Sequence, residues 1–335
     1  MDVLGLVCGL ALFLFGMNLM SDSLKKSVGD RLKEILASLT SGKLKGFFLG
    51  LGVTALIQSS SATTVMVVGF VSSGTMLLSQ AVGVILGANV GTAVTAWITA
   101  LNTIHGAGAL NLLKYLKPDF WMPLVALFGV GLLMFSKKQR MKDVATILLG
   151  FSVLMVGMTL MSDAVSGLKH NEAFTSILTV FSNPILGVLA GAVLTAIVQS
   201  SSASVGILQA LSTTGAVTFS EAIPIILGQN IGTCVTAMIS SIGASKNGKR
   251  AAFIHLYFNV FGVVIWLSVY YLVAFLLGFA GAFDVFGKAS TTAIDAWGIA
   301  AVHTAFKILC VLTFAPFTNA LEKIAERTVR EERIS

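Results

Sequence analysis

Apolar runs of membrane-spanning length recur along the whole chain, near residues 3–23, 81–101, 120–135, 144–165, 222–242, 251–279 and 298–316. About 20 residues at 1.5 Å each cover a hydrocarbon core of roughly 30 Å, so these runs predict about seven full crossings. Two further apolar segments, 46–73 and 187–214, break the pattern. Each is interrupted at its centre, by Gln58-Ser59-Ser60-Ser61 in one and by Gln199-Ser200-Ser201-Ser202 in the other. The arm from Gly46 to Ile57 measures about 18 Å as a helix, enough to reach mid-membrane and too short to cross. This predicts two helical hairpins that enter the membrane and return. Non-helical backbone survives at that depth only where protein or a water-filled cavity surrounds it, which places both tips centrally. Gly46 and Gly50, with Gly187 and Gly191, give each entering arm a small face that another helix can approach.

The pattern occurs twice. Adding 141 to a residue number in the first part of the chain lands on its twin. Gly16-Met17-Asn18-Leu19-Met20-Ser21-Asp22 recurs as Gly157-Met158-Thr159-Leu160-Met161-Ser162-Asp163, and Gly87, Asn89, Gly91 and Thr92 recur as Gly228, Asn230, Gly232 and Thr233. Between 46 and 96, 21 of 51 positions are identical without a gap, more than shared apolar composition supplies. A duplicated unit is therefore expected. With re-entrant hairpins each copy has three crossings, and an odd number turns the second copy upside down. The expected organisation is a first repeat over 1–135, a connector at 136–143, a second repeat over 144–279, an additional membrane helix in 280–316 and a charged tail from 317 to 335. The fold class is thus an all-α polytopic membrane protein of two inverted repeats.

Composition agrees. Of 335 residues, 56% are hydrophobic and 11% charged, against the quarter or so of charged residues in an average soluble chain. The net charge of +7 could suggest nucleic acid in a soluble protein, but here the cations sit in short loops between apolar runs. Six Lys and Arg fall in 24–45, four in 136–143, three in 243–250 and four after 316, seventeen in all on one side against four on the other. The positive-inside rule makes the richer side cytoplasmic, with the N-terminus outside and the C-terminus inside. The count alone does not decide the hairpins, because treating them as full spans gives sixteen against five. Val3–Met20 lacks the leading cation and small-residue cleavage pattern of a signal peptide and reads as a retained helix.

The interruptions carry the chemistry. A helix that restarts after Gln-Ser-Ser-Ser presents unpaired N–H groups and serine hydroxyls, and its N-terminus bears about half a positive charge. Such a tip can hold an oxyanion without lysine or arginine, and no cation occurs between Lys45 and Lys114. Two tips meeting at the midplane would clamp a small tetrahedral anion between Ser59, Ser60, Ser61, Ser200, Ser201 and Ser202. Freed carbonyls and neutral side-chain oxygens suit a hard cation. Gln58, Thr63, Thr64, Asn89, Thr92, Gln199, Ser204, Asn230 and Thr233 are the sodium candidates, and bound Na⁺ would offset the anion's charge and couple the two events. Helix packing alone would explain a single serine run; its exact recurrence is what favours binding. Helix–helix hydrogen bonding is the plainer role for the two asparagines, and an interfacial position for Asp22 and Asp163.

Lys307 lies midway along the last span, where a lysine costs roughly 2.5–3.5 kcal/mol on insertion scales, so it must face a partner or cavity. Both a structural cap and a part in an anion pathway remain open for it, and His255 and His303 read as packing residues. Cys8, Cys234 and Cys310 lack pairing or ligand spacing, and the four histidines are too scattered for a transition-metal motif. Gly243–Arg250 falls short of a phosphate-binding P-loop, because Arg250 stands where Ser or Thr is needed. Nothing points to an organic cofactor, an enzyme active site or nucleic acid.

The paired Gln-Ser-Ser-Ser segments and the stretches Gly87–Thr92 and Gly228–Thr233 resemble the type II sodium-dependent phosphate cotransporter family over nearly the whole chain. The resemblance implies that the serine tips hold inorganic phosphate, that the neighbouring oxygens hold Na⁺, and that transport is secondary and active. Animal members join their halves through a long glycosylated loop. Here the connector is short and no glycosylation sequon is present, which points to a bacterial inner membrane protein. His255-Leu-Tyr-Phe-Asn259 matches a family pattern, whereas His303-Thr-Ala-Phe-Lys307 departs from it in ending on lysine. Some bacterial relatives carry a regulatory domain beyond the membrane part and have been linked with export. A sodium-independent exporter or pore, and a phosphate-sensing scaffold whose tail recruits a regulator, are the alternatives.

Overall fold

The computed structural model describes residues 2–28, 42–103, 118–170, 172–279 and 291–330. Its elements are helical: α1 (Val3–Val28), α2 (Lys43–Ile57), α3 (Ser60–Ser72), α4 (Leu78–Gly91), α5 (Ala93–Ala100), α6 (Pro118–Phe135), α7 (Gln139–Val165), α8 (Glu172–Val180), α9 (Pro184–Val198), α10 (Ser201–Ser212), α11 (Phe219–Gly232), α12 (Cys234–Ser240), α13 (Lys246–Phe279), α14 (Ala296–Phe314) and α15 (Thr318–Thr328). Among the described residues no strand forms, and one isolated bridge joins Thr218 to Ala293.

Among the described residues, six helical stretches are long and apolar enough to cross a membrane: Val3–Lys26, Leu78–Thr103, Gln139–Leu168, Phe219–Ser240, Lys246–Leu276 and Ala296–Thr328. The seventh predicted crossing, 120–135, corresponds to α6, a shorter apolar helix. The residues before it, 104–117, lie outside those described, as do His105 and Lys114. The lipid-facing character is plain in the exposed side chains, which include Leu4, Phe128, Met134, Ile197, Ile242, Leu272 and Leu312. A soluble surface would not gather so many.

The interrupted segments fold as helix pairs, α2 with α3 and α9 with α10. In both pairs the first helix ends on a glutamine in the left-handed region, Gln58 at φ 56° and Gln199 at φ 54°. Among the described residues these are the two non-glycine positions with positive φ. Left-handed backbone costs a residue with a Cβ roughly 1–2 kcal/mol, a penalty that the hydrogen bond from Thr95 Oγ1 to Gln58 Oε1 helps to offset at the first tip. The duplication extends to element boundaries: α2 and α9, α3 and α10, α4 and α11, and α5 and α12 each begin 141 residues apart. Capping repeats too, with Gln80 Oε1 accepting from the Leu77 N–H at 2.8 Å and Glu221 Oε2 from the Thr218 N–H at 2.7 Å.

Packing holds each tip against its neighbours. A Cβ added to Gly87 of α4 would sit 1.9 Å from the Phe47 carbonyl oxygen of α2, and one on Gly228 of α11 would sit 2.0 Å from that of Val188 on α9. Backbone contact this close excludes any side chain. Helices α1 and α7, the twins that begin the two copies, cross antiparallel. Gly9 meets Gly157 and Met161, and Gly16 meets Gly150 and Leu154. Phe13, Met155, Met158 and Met161 fill that crossing, and Gly206 of α10 packs on the Phe13 ring.

Candidate functional site

Where α3 and α10 begin, two serine caps face one cavity. Ser59 Oγ accepts from the Ala62 N–H at 3.2 Å, and Ser200 Oγ from the Ala203 N–H at 3.2 Å. The Thr63 and Ser204 N–H groups close on the Ser59 and Ser200 carbonyls at 3.2 and 3.0 Å. The first two amides of each helix, on Ser60 and Ser61 and on Ser201 and Ser202, have no intrahelical acceptor. They point, with their hydroxyls, toward the start of each helix and its positive dipole end.

The cavity between them has a volume of about 110 Å³, several times the roughly 10–15 Å³ that one water requires. All six predicted phosphate serines line it, together with Gln58 and Gln199. Ser60, Ser201 and Ser202 are buried and Ser59, Ser61 and Ser200 half-buried. The rest of the wall comes from one side, as Met17, Asn18, Ser21 and Lys25 of α1. Those four residues had no assigned role, although the recurring Gly16–Asp22 stretch was a signal for the first three. Lys25 changes the electrostatic picture, since the two dipoles do not stand alone there. Its ammonium pairs with Asp22 at 3.1 Å and remains 40% exposed, which makes it a mouth residue rather than a buried ligand.

The other sodium candidates lie behind the tips, not on the cavity wall. Thr54 Oγ1 donates to Thr63 Oγ1 at 2.9 Å, and Thr195 Oγ1 to Ser204 Oγ at 2.8 Å, tying the two helices of each pair just below the tip. Asn89 and Asn230 each turn their amide N–H back to the carbonyl four residues earlier, Ile85 at 3.1 Å and Ile226 at 2.8 Å, so the side-chain oxygen is what each retains for another partner. Thr92 and Thr233 donate to Ala88 and Gln229 in the same way. Thr64 is buried, and its hydroxyl has no partner. Among the described residues, the other buried oxygens that share that condition include Oε1 of Gln229, Oγ1 of Thr236 and Oγ of Ser21 on the cavity wall. Gln229 takes the place of Ala88 in the first copy, and its amide donates to the Ser204 carbonyl at 3.0 Å. Neither Gln229 nor Thr236 was singled out from the sequence. Among the described residues no group of three His, Cys, Asp or Glu is arranged to hold a transition metal.

Two buried helix N-termini, hydroxyl-rich and close to neutral oxygens, open into one cavity, an arrangement whose chemistry suits a small oxyanion beside a hard cation. A family model described as Na⁺/Pi-cotransporter matches residues 12–163 and again 154–310, one match for each copy of the repeat. The chain is 30% identical over 316 residues to the uncharacterized protein YqeW of Bacillus subtilis, covering 93% of both chains. It is 26% identical over 333 residues to YjbB of Escherichia coli K12, provisionally named an inorganic phosphate export protein, covering 99% of this chain and 56% of that one, so it spans little more than half of YjbB. It is 25% identical over 369 aligned positions to human sodium-dependent phosphate transport protein 2B, covering 70% of this chain and 54% of that one. No solved structure matches it.

Proposed function

This chain belongs to the Na⁺/Pi-cotransporter family, and from that premise we propose that it moves inorganic phosphate across the membrane in step with Na⁺ by alternating access. The observation that carries the reading is the single cavity into which both serine caps open. Phosphate sits between Ser59–Ser61 and Ser200–Ser202, accepting from the free amides and hydroxyls of both helix starts. Na⁺ is held by oxygens from the set Gln58, Thr63, Thr64, Asn89, Thr92, Gln199, Ser204, Asn230 and Thr233. Its charge offsets that of the anion in a low-dielectric surrounding, so each ion raises the affinity for the other.

The helix pairs α2–α3 and α9–α10 are read as re-entrant hairpins of two inverted repeats. The antiparallel crossing of the twin helices α1 and α7 supports this, because helices equivalent in sequence run in opposite directions. Charge bias favours a cytoplasmic face at the Lys25 end of α1. The cavity wall drawn from Lys25, Ser21 and Asn18 lies toward that end, so the state described is read as open to the cytoplasm. The proposed location is the bacterial inner membrane, with the N-terminus outside.

A second reading, sodium-independent phosphate export, is favoured by the match to YjbB over 99% of this chain. Purified protein in liposomes separates the two. Accumulation of labelled phosphate driven by an imposed Na⁺ gradient supports cotransport, and phosphate flux equal with and without Na⁺ supports export.

A further inference from the structure

Helices α13 and α14 bury an ionisable cluster away from the serine-lined cavity. Lys307 is 4% exposed, and His255 and His303 are each 1% exposed. Among the described residues the Lys307 Nζ makes no ion pair or hydrogen bond. Both ring nitrogens of His255 and the Nδ1 of His303 also lack partners. The groups within electrostatic reach of Lys307 are Cys234, His255, His303 and Cys310.

No carboxylate is among them. Of the helices packed on α14, α4, α5 and α10 contain no Asp, Glu, Lys, Arg or His. Helix α11 contains Glu221, which is held in its first turn by the Thr218 N–H. Helix α13 adds Lys246, Lys249 and Arg250 at its start, well before His255, and the phenols Tyr257, Tyr270 and Tyr271.

A structural cation in a membrane needs a carboxylate or carbonyls around it, and a structural histidine needs its nitrogens bonded. This cluster has neither. It has one amine and three imidazole nitrogens open to exchange. Cys234 Sγ on α12 lies 3.6 Å from the His255 backbone carbonyl and 3.7 Å from that of Asn230, which seats α13 against the helices of the second repeat. The parallel motif on α13 ends on Asn259, whose amide turns back to the His255 carbonyl at 2.9 Å. On α14 the same position holds an amine that can gain and lose a proton.

We propose that Lys307, His255 and His303 form a proton-binding site that loads and unloads one proton per transport cycle, coupling phosphate movement to H⁺ in addition to any Na⁺. In the unloading step one Nζ–H bond breaks, its proton joins the lone pair of an open imidazole nitrogen, and the imidazolium passes a proton to water. Loading is the reverse, with no other reactant. The inference rests on the phosphate-transport reading above.

The test uses the full chain in proteoliposomes with the outside held at one pH, so that the ionic form of external phosphate is constant. Only the lumen pH is varied. Wild type should take up labelled phosphate at least threefold faster with an alkaline lumen than with equal pH, and a lumenal pH dye should record more proton entry per phosphate in wild type than in Lys307→Arg, the excess over what entering H₂PO₄⁻ itself releases. Lys307→Arg keeps the charge but cannot release a proton at these pH values, and Lys307→Met removes both. In each the ratio of gradient-driven to symmetric uptake should fall to about one. A wild-type ratio of one, or a Lys307→Arg ratio equal to wild type, overturns the proposal. Should Lys307→Met fail to fold, the arginine variant decides, by its uptake ratio and by its dye signal per phosphate against wild type. Absence of phosphate exchange in wild type at every pH and Na⁺ concentration overturns the phosphate reading itself, a result distinct from exchange that ignores the pH gradient.

Discussion

Thr95 Oγ1 donates to Gln58 Oε1 at 2.9 Å, latching the first tip glutamine into the protein. Its twin pair is apart: Gln199 is exposed, and the buried Thr236 hydroxyl has no partner. Two identical motifs thus occupy two different states in one molecule. Under the alternating-access reading, exchange of those states between copies gives the second conformation, with Gln199 latched on Thr236 and Gln58 released.

Thr95→Val should therefore weaken the state described here by about 1 kcal/mol, the net worth of one hydrogen bond, which is roughly fivefold in population. Thr236→Val should destabilise the opposite state by a similar amount. The two variants should shift the accessibility of a cysteine introduced at Met17 in opposite directions, measured by thiol labelling from one side of sealed vesicles. Equal shifts in the same direction would rule out the exchange.

The serine caps carry a second expectation. Ser59→Ala and Ser200→Ala each remove the acceptor for an orphan N–H, costing about 1 kcal/mol of helix stability. They also remove a cavity hydroxyl. Ser60→Ala and Ser201→Ala remove only the hydroxyl. All four should raise the phosphate concentration for half-maximal uptake at least tenfold, but the first pair alone should lower the thermal midpoint in detergent.

Gly87→Ala and Gly228→Ala place a Cβ within about 2 Å of a carbonyl oxygen. They should force α4 from α2 and α11 from α9, at a cost of several kcal/mol in the range of severe overpacking, and yield little monodisperse protein. Gly69→Ala, in α3 with nothing within 4 Å of the added carbon, should be neutral or stabilising by up to about 1 kcal/mol. Size-exclusion profiles after purification check both.

How much of this was readable in advance depends on whether a feature repeats. The break in each apolar segment, the serine caps and the close approach at Gly50 of α2 and Gly191 of α9 follow from local pattern, and the second copy doubles the signal. The latch of Gln58 on Thr95 breaks the symmetry of the two halves, and no single sequence describes which half is engaged. Lys25 was hidden for a different reason. Its position among the cations of residues 24–45 reads as topology, and only the packing of α1 beside the tips brings it to the cavity. Gln229 replaces an alanine of the first copy, so the repeat comparison passed over the residue whose oxygen is left open. The crossing expected at 120–135 is occupied by α6, Pro118–Phe135, because an unbroken apolar run leaves the backbone no partner but its own helix.

Lys25 and Asp22 make opposite predictions about one quantity. Lys25 lies at the cavity mouth, half-screened by Asp22 at 3.1 Å. At a partly exposed site an ammonium several ångströms from an anion contributes about 0.5–1 kcal/mol, which is two- to fivefold in affinity. Lys25→Gln should raise the half-saturating phosphate concentration by that factor with little change at saturation, because a mouth charge acts on capture more than on the later steps. Asp22→Asn removes the competing carboxylate and should lower it. Both effects should shrink as ionic strength rises from 0.01 to 0.15 M and the screening length falls from about 30 to 8 Å. Uptake measured against phosphate concentration at two salt levels tests all three signs. If Asp22→Asn weakens capture, then the carboxylate serves to position Lys25 and not to mask it.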